Sequence, residues 1–134
     1  MDPIRFARRE RIRAAELEAL FAVSWGSPKQ GYSRVFDHSF TWVSASSGDQ
    51  LIGFVNVTWD GDVHFFLLDL TVHPDWRRKG IGIRLVEEAI DACRGRGDWL
   101  HVDASDELMV RLYERCGFQP SKAGLINLRV SRPP

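Results

Sequence analysis

The stretch from Val72 to Ile83 constrains this chain more than any other. It reads Val72-His73-Pro74-Asp75-Trp76-Arg77-Arg78-Lys79-Gly80-Ile81-Gly82-Ile83. An apolar strand pattern runs into a turn containing proline, cationic side chains and two glycines follow, and a helical pattern opens at once. That order suits a pyrophosphate. Glycines let the backbone come close, and the first turn of a helix carries N–H groups with no partner inside the helix. The alternative is a tight strand-to-helix turn whose glycines serve shape and whose exposed cations serve solubility.

Two rival glycine-rich loops fit less well. A Walker-type loop requires Gly-x-x-x-x-Gly-Lys-Ser/Thr, a run this chain lacks. A dinucleotide fingerprint requires a third glycine three residues after Gly82, where Leu85 stands. It also expects a βαβ unit at the start of its domain, whereas this loop begins only at Val72.

A length of 134 residues predicts one domain over 1–134, large enough for its own core. Apolar residues make up 44% and charged residues 27%, the balance of a soluble globular protein. The formal net charge of zero gives the whole chain no general attraction to nucleic acid or an anionic membrane. No apolar run approaches the roughly 18 residues of a spanning helix. Met1 to Arg13 carries Arg5, Arg8, Arg9, Arg11 and Arg13 without a following apolar core, so it does not read as a secretory signal. These arginines could serve an acidic acceptor or a nucleic acid, or form a solvated face. Cys93 and Cys116 have no metal spacing and form no disulfide framework, which predicts a reducing cytoplasm and no metal. Both are expected to be small buried apolar residues.

Along the chain, Ile4 to Ala7 reads as a short first strand. Apolar residues Ala15, Leu17, Leu20, Phe21 and Val23 mark a helix from Ala14 that Gly26 and Pro28 stop. Tyr32 to His38 reads as a second short helix. Phe40 to Ala45 alternates as a strand, Ser46-Ser47-Gly48-Asp49 as a hairpin turn, and Leu51 to Trp59 as the returning strand. After the turn Asp60-Gly61-Asp62, the apolar run His64 to Val72 predicts a central strand covered on both faces. Gly80 to Arg94 is a helix with an inward stripe of Ile81, Leu85, Ala89 and Cys93, flanked by Val86 and Ile90. Trp99 to Asp103 predicts a strand parallel to the earlier one. Ser105 caps a helix over Asp106 to Arg115, Gly117 closes it, and Leu125 to Val130 predicts a last strand. That strand could pair with the one before it or with another subunit, which leaves a homodimer open.

Arg77-x-x-Gly80-x-Gly82, preceded by Leu70-Thr71-Val72-His73-Pro74, resembles the acyl-CoA-binding signature of the GNAT (GCN5-related N-acetyltransferase) superfamily. Leu112-Tyr113-Glu114-Arg115-Cys116-Gly117-Phe118 is similar to that family's tyrosine-containing helix and its Gly-Phe. The resemblance runs from about Leu51 to Phe118. It implies the acyl-CoA N-acyltransferase fold: mixed α/β, a mostly antiparallel central sheet with a splayed parallel strand pair, flanked by helices. It also implies acetyl-CoA as co-substrate and a primary amine of a small molecule or peptide as acceptor, attacked directly in a ternary complex.

Site residues follow from the same resemblance. Main-chain groups of Leu70 and Val72 would pair with the pantetheine arm. N–H groups of Arg78, Lys79, Gly80, Ile81, Gly82 and Ile83 would cradle the pyrophosphate, with charge from Arg77 and Lys79. An N–H at a bulge near Leu70 would hold the oxyanion. Asp69 is the first candidate for a base, with His64 and His73 behind it; alternation puts Asp69 on the face opposite Leu68 and Leu70. The other reading of Asp69 is a buried carboxylate bonded to a neighbouring strand or loop. Tyr113 would face the sulfur and protonate the leaving thiolate, or be an amphipathic core tyrosine. Trp25, Trp42 and Trp59 could wall the acceptor pocket near residues 24–28 and 32–38, or belong to the core. A non-catalytic acyl-CoA-binding regulatory module and a nucleic-acid-binding domain are the competing classes.

Overall fold

Period-two alternation in the sequence becomes a five-stranded sheet of order β1-β2-β3-β4-β5. The computed structural model describes residues 2–27 and 29–130. The strands are β1 (Ile4–Arg8), β2 (Ser39–Ser47), β3 (Gln50–Trp59), β4 (His64–Val72) and β5 (Trp99–Val102). All neighbours pair antiparallel except β4 and β5, which are parallel. The helices are α1 (Ala14–Trp25), α2 (Tyr32–Phe36), α3 (Ile81–Cys93) and a short α4 (Asp106–Leu108). The sheet is mixed and helix-flanked, as the family resemblance implies.

Two apolar clusters cover opposite faces. On one, Leu17, Leu20 and Phe21 of α1 and Tyr32 of α2 pack on Phe54 of β3. On the other, Ile81, Leu85, Val86, Ala89 and Cys93 of α3 pack on Val55 and Val57 of β3 and on Phe65 and Leu67 of β4. The inward stripe of α3 is thus the predicted one, with Ile90 partly buried beside it. Burial pushes the Cys93 thiol up to about 11, so this cysteine packs as a small apolar residue.

Gly53 sets how closely α3 approaches. A Cβ there would stand 3.0 Å from Leu85 Cδ1 and 3.1 Å from Ile81 Cγ2, tighter than ordinary contact. Gly53→Ala is therefore expected to cost about 1–3 kcal/mol of stability by overpacking. A lower urea midpoint with an unchanged slope checks it.

Several local expectations shift. Gly26 ends α1 at φ 83°, as predicted; Pro28, the other half of that stop, lies outside the described residues, as does Met1 of the N-terminal segment. The first hairpin turn narrows to Gly48-Asp49, because Ser47 still pairs with Gln50. β4 is not covered on both faces: Phe66 and Leu68 remain 43% and 42% exposed, and neither belongs to either apolar cluster. The helix predicted over Asp106 to Arg115 forms, but after α4 it widens into a π-turn (Met109–Tyr113) and tightens into a 3-10 turn (Glu114–Cys116). Ser105 caps it, its Oγ accepting from the Leu108 N–H at 3.3 Å. The predicted strand Leu125 to Val130 is absent. That segment has β-like composition but no strand partner, and Leu125, Ile126 and Leu128 are 89%, 78% and 87% exposed.

Candidate functional site

β4 changes character halfway along. Its parallel ladder with β5 begins at His64↔Trp99 and ends at Leu67↔Val102, while β4 runs on to Val72. β5 itself ends at Val102, so beyond Leu67 the β4 edge that faced it has no strand partner and its main-chain groups are left for other use. On its other edge, Asn56 pairs with Leu68 but Phe54 pairs with Thr71, so β4 holds one residue too many. Asp69 absorbs the excess at φ 58°, a conformation few non-glycine residues adopt. This is a β-bulge, and it re-aims everything after it. Leu70 and Val72 turn to the α3 cluster, whereas Asp69 and Leu68 share the α2 side. Alternation alone put Asp69 opposite Leu68; the bulge corrects that.

The loop after β4 builds a nest of N–H groups. His73 starts a 3-10 turn (Pro74–Trp76), its Nδ1 accepting from the Asp75 N–H at 3.1 Å. Arg78 and Gly80 both take left-handed backbone, φ 64° and 78°, the kind of alternation that turns successive N–H groups inward around an anion. Gly80 caps α3 without any side-chain acceptor, and the first amide bonded back to it is Arg84 at 3.1 Å. The N–H groups of Ile81, Gly82 and Ile83 are thus left for a ligand or water. Arg77, Arg78 and Lys79 are exposed, and among the described residues no carboxylate pairs with them. Gly82 is informative in another way. Its φ is not positive, and an added Cβ would meet Val72 Cγ2 at an ordinary 3.8 Å. Nothing in the fold demands glycine there, so open space over this turn is consistent with a bound group.

Asp69 is held firmly. The Tyr32 hydroxyl donates to its Oδ2 at 2.8 Å, and Lys29 Nζ lies 3.9 Å from the same oxygen. Burial, then the Asp69 charge, pushes the Tyr32 phenol far above its usual range. Tyr32 falls in the 32–38 segment expected near the acceptor pocket, but its bond to Asp69, 37 residues away, was not legible, nor was Lys29 as a site residue. His64 and His73, the other candidate bases, are placed differently. His64 sits at the opposite end of β4, its Nδ1 2.8 Å from His101 Nε2, and His73 serves its own turn.

Tyr113 lies on the α3 side. It is 5% exposed, packs edge-on against Phe118 at 5.5 Å, and shares a cluster with Leu70, Val72 and Ile81. It is the last residue of the π-turn. Its hydroxyl has no hydrogen-bond partner among the described residues and is not among the sealed polar atoms, so the phenol tip reaches the surface. Burial, aided by Cys116, pushes its pKa above the ordinary phenol value. Asp69 thus stands on the α2 side of β4, and Tyr113, from the π-turn, packs on the α3 side.

Other candidates resolve by placement. Trp42 and Trp59 pack into the two clusters, while Trp25 stacks on Phe21 at 4.3 Å and stays 44% exposed at the end of α1. Arg5, Arg8 and Arg13 pair with Glu10, Glu88 and Glu16, and Arg9 lies over the Trp42 ring. A hollow of about 670 Å³ opens between α1, the β2–β3 turn and His73 at the start of the loop after β4; its Glu16 and Asp49 disfavour a diphosphate there. Among the described residues no group of His, Cys, Asp or Glu is arranged to hold a metal, and no helix is long and apolar enough to cross a membrane.

Comparison with known proteins bears on this arrangement. Residues 9–118 match the model of the acetyltransferase (GNAT) family. Over 117 residues the chain is 32% identical to the N-alpha-acetyltransferase RimI of Mycobacterium tuberculosis, covering 84% of this chain and 74% of that one. Over 99 residues it is 31% identical to the [ribosomal protein bS18]-alanine N-acetyltransferase of Escherichia coli; that match covers 60% of this chain and 66% of the relative, just under two thirds. In fold it is similar to a GNAT-family acetyltransferase of Streptococcus pneumoniae, with a TM-score of 0.75 and 22% identity over 94% of this chain and 99% of that one.

Proposed function

The chain belongs to the GNAT acetyltransferase family, and from that premise we propose that it transfers acetyl from acetyl-CoA directly to a peptide α-amine or a comparable small primary amine. The observation that carries this is the unpaired length of β4 beyond its ladder with β5, beside an uncapped, cation-rich helix start. In this reading the N–H groups of Arg78 to Ile83 take the pyrophosphate, with Arg77 and Lys79 adding charge. Main-chain groups of Leu70 and Val72 pair with the pantetheine arm.

The chemistry divides across the cleft. The neutral amine attacks the thioester carbonyl, and the oxygen that gains charge accepts from a main-chain N–H at the bulge near Leu70. The amine's surplus proton passes to Asp69, directly or through water. The carbon–sulfur bond breaks, and the Tyr113 hydroxyl donates to the departing thiolate, steadying its charge. Acceptor pKa favours an α-amine. With reference values near 7.8 and 10.4, roughly a third of α-amines but only about 0.1% of lysine amines are neutral at pH 7.5. A carboxylate already bonded to Tyr32 and close to Lys29 is suited to orienting an amine that needs little deprotonation. The two relatives compared above are named for N-alpha acetylation and for acetylation of a protein alanine, which supports the same class. The reading requires no metal, nucleic acid or membrane.

The test is thiol release from acetyl-CoA against peptides with free N-termini, and against N-terminally blocked peptides carrying lysine. Faster release with the free N-termini is expected. Coenzyme A binding without thiol release for any amine would favour a non-catalytic acyl-CoA module. Folded protein that gives no heat with coenzyme A would end the reading altogether.

A further inference from the structure

We propose that Tyr32 is a positioning residue of the transfer reaction: it fixes Asp69 in the β4 bulge so that one carboxylate oxygen is left free for the acceptor amine. The inference rests on the function proposed above and adds to it a residue from α2, outside the cofactor-binding motif.

Three observations carry it. First, Asp69 is bonded by a hydroxyl that reaches it from a buried ring: the Tyr32 hydroxyl donates to Asp69 Oδ2 at 2.8 Å, and Tyr32 is only 6% exposed. Second, both contacts on the carboxylate converge on one oxygen. Tyr32 and Lys29 meet Oδ2, and the Lys29 ammonium also lies 5.5 Å from the Tyr32 ring centre. Oδ1 has no hydrogen-bond partner among the described residues, on a side chain that is 25% exposed. Third, the backbone at Asp69 is strained, φ 58°, and strain of this kind persists only where surrounding contacts determine it. Thr71 Oγ1 holds the Asp69 carbonyl at 2.9 Å, so main chain and side chain are each fixed from one side.

Tyr32 can do this because its ring is anchored independently of its hydroxyl. It packs against Phe21, Phe36 and Phe54 at 5.4, 5.0 and 5.5 Å between ring centres. The phenol is thus delivered to the bulge by a rigid aromatic cluster, and orientation of this quality is where much of a positioned group's rate advantage arises.

The experiment compares wild type, Tyr32→Phe, Asp69→Asn and the double variant with acetyl-CoA and a free-N-terminus peptide, alongside calorimetric binding of coenzyme A. Tyr32→Phe keeps the ring and its packing. It is expected to lower kcat/KM for the amine about 10-fold, with coenzyme A affinity unchanged within about twofold. In the Asp69→Asn background the same change should cost less than about twofold, because its effect runs through the carboxylate. Full activity in Tyr32→Phe, or losses that multiply in the double variant, would overturn the inference. So would a matching loss of coenzyme A affinity, which would mark a structural role. Wild type that binds coenzyme A yet releases no thiol with any amine would instead overturn the proposed function, and this inference with it.

Discussion

Replacing Gly82 with Asp is expected to weaken coenzyme A binding about 100-fold while leaving the protein at least as stable as before. The two halves of that expectation come from the same turn. An Asp in the first turn of a helix interacts favourably with the macrodipole and can accept from unpaired N–H groups. The backbone at Gly82 is not left-handed, and the new Cβ finds ordinary contact with Val72, so the fold has no objection. A pyrophosphate using those N–H groups has a strong one. Like charges about 4 Å apart repel by about 4 kcal/mol at an effective dielectric near 20, and solvent reduces that toward the 2.7 kcal/mol that a 100-fold loss represents. Gly82→Asn serves as the near-isosteric control and should recover most of the affinity. The reading of this loop as a mere tight turn predicts a stability gain with no change in binding. Calorimetry with coenzyme A and a thermal melt on each variant decide between the two.

What could be seen in the sequence was the order of elements and the loop; what could not was anything set by a register. Arg77-x-x-Gly80-x-Gly82 is local, and its backbone requirements follow from residue type, so the uncapped start of α3 was legible. The inward stripe of α3 was legible for the same reason, since 3.6-residue periodicity is a local pattern. The bulge at Asp69 was not. It exists because β3 and β4 fall out of step between Phe54 and Asn56, a relation between two strands that neither strand records. Its consequence reaches the site directly: Asp69 turns to the α2 side, where Tyr32 meets it across 37 residues of chain. The π-turn that ends at Tyr113 is likewise absent from the sequence pattern, which predicts an ordinary helix over that segment. The last predicted strand, Leu125 to Val130, fails for the complementary reason. Composition can make a segment fit for a sheet, but only a partner makes it a strand.

Tyr113→Phe is expected to lower kcat by about 100-fold and to leave the dissociation constant for coenzyme A within about twofold of wild type. The ring should stay where it is, because its packing against Phe118 and the α3 cluster involves no hydroxyl. Only the donor is removed. Burial pushes the pKa of this phenol up, so it remains protonated and able to donate throughout the neutral range. A thiol near 8.5 is more acidic than a phenol near 10, so full proton transfer to the thiolate is not strongly driven. The hydroxyl would therefore act mainly as a charge-assisted hydrogen bond that steadies sulfur as the carbon–sulfur bond breaks. This places the loss in the chemical step. Single-turnover quench experiments should show slowed acetyl transfer, and product release should not account for the change. Turnover equal to wild type would remove Tyr113 from the reaction. A parallel loss of coenzyme A affinity would assign it to packing, and the leaving thiolate would then have to be stabilised from elsewhere in the cleft.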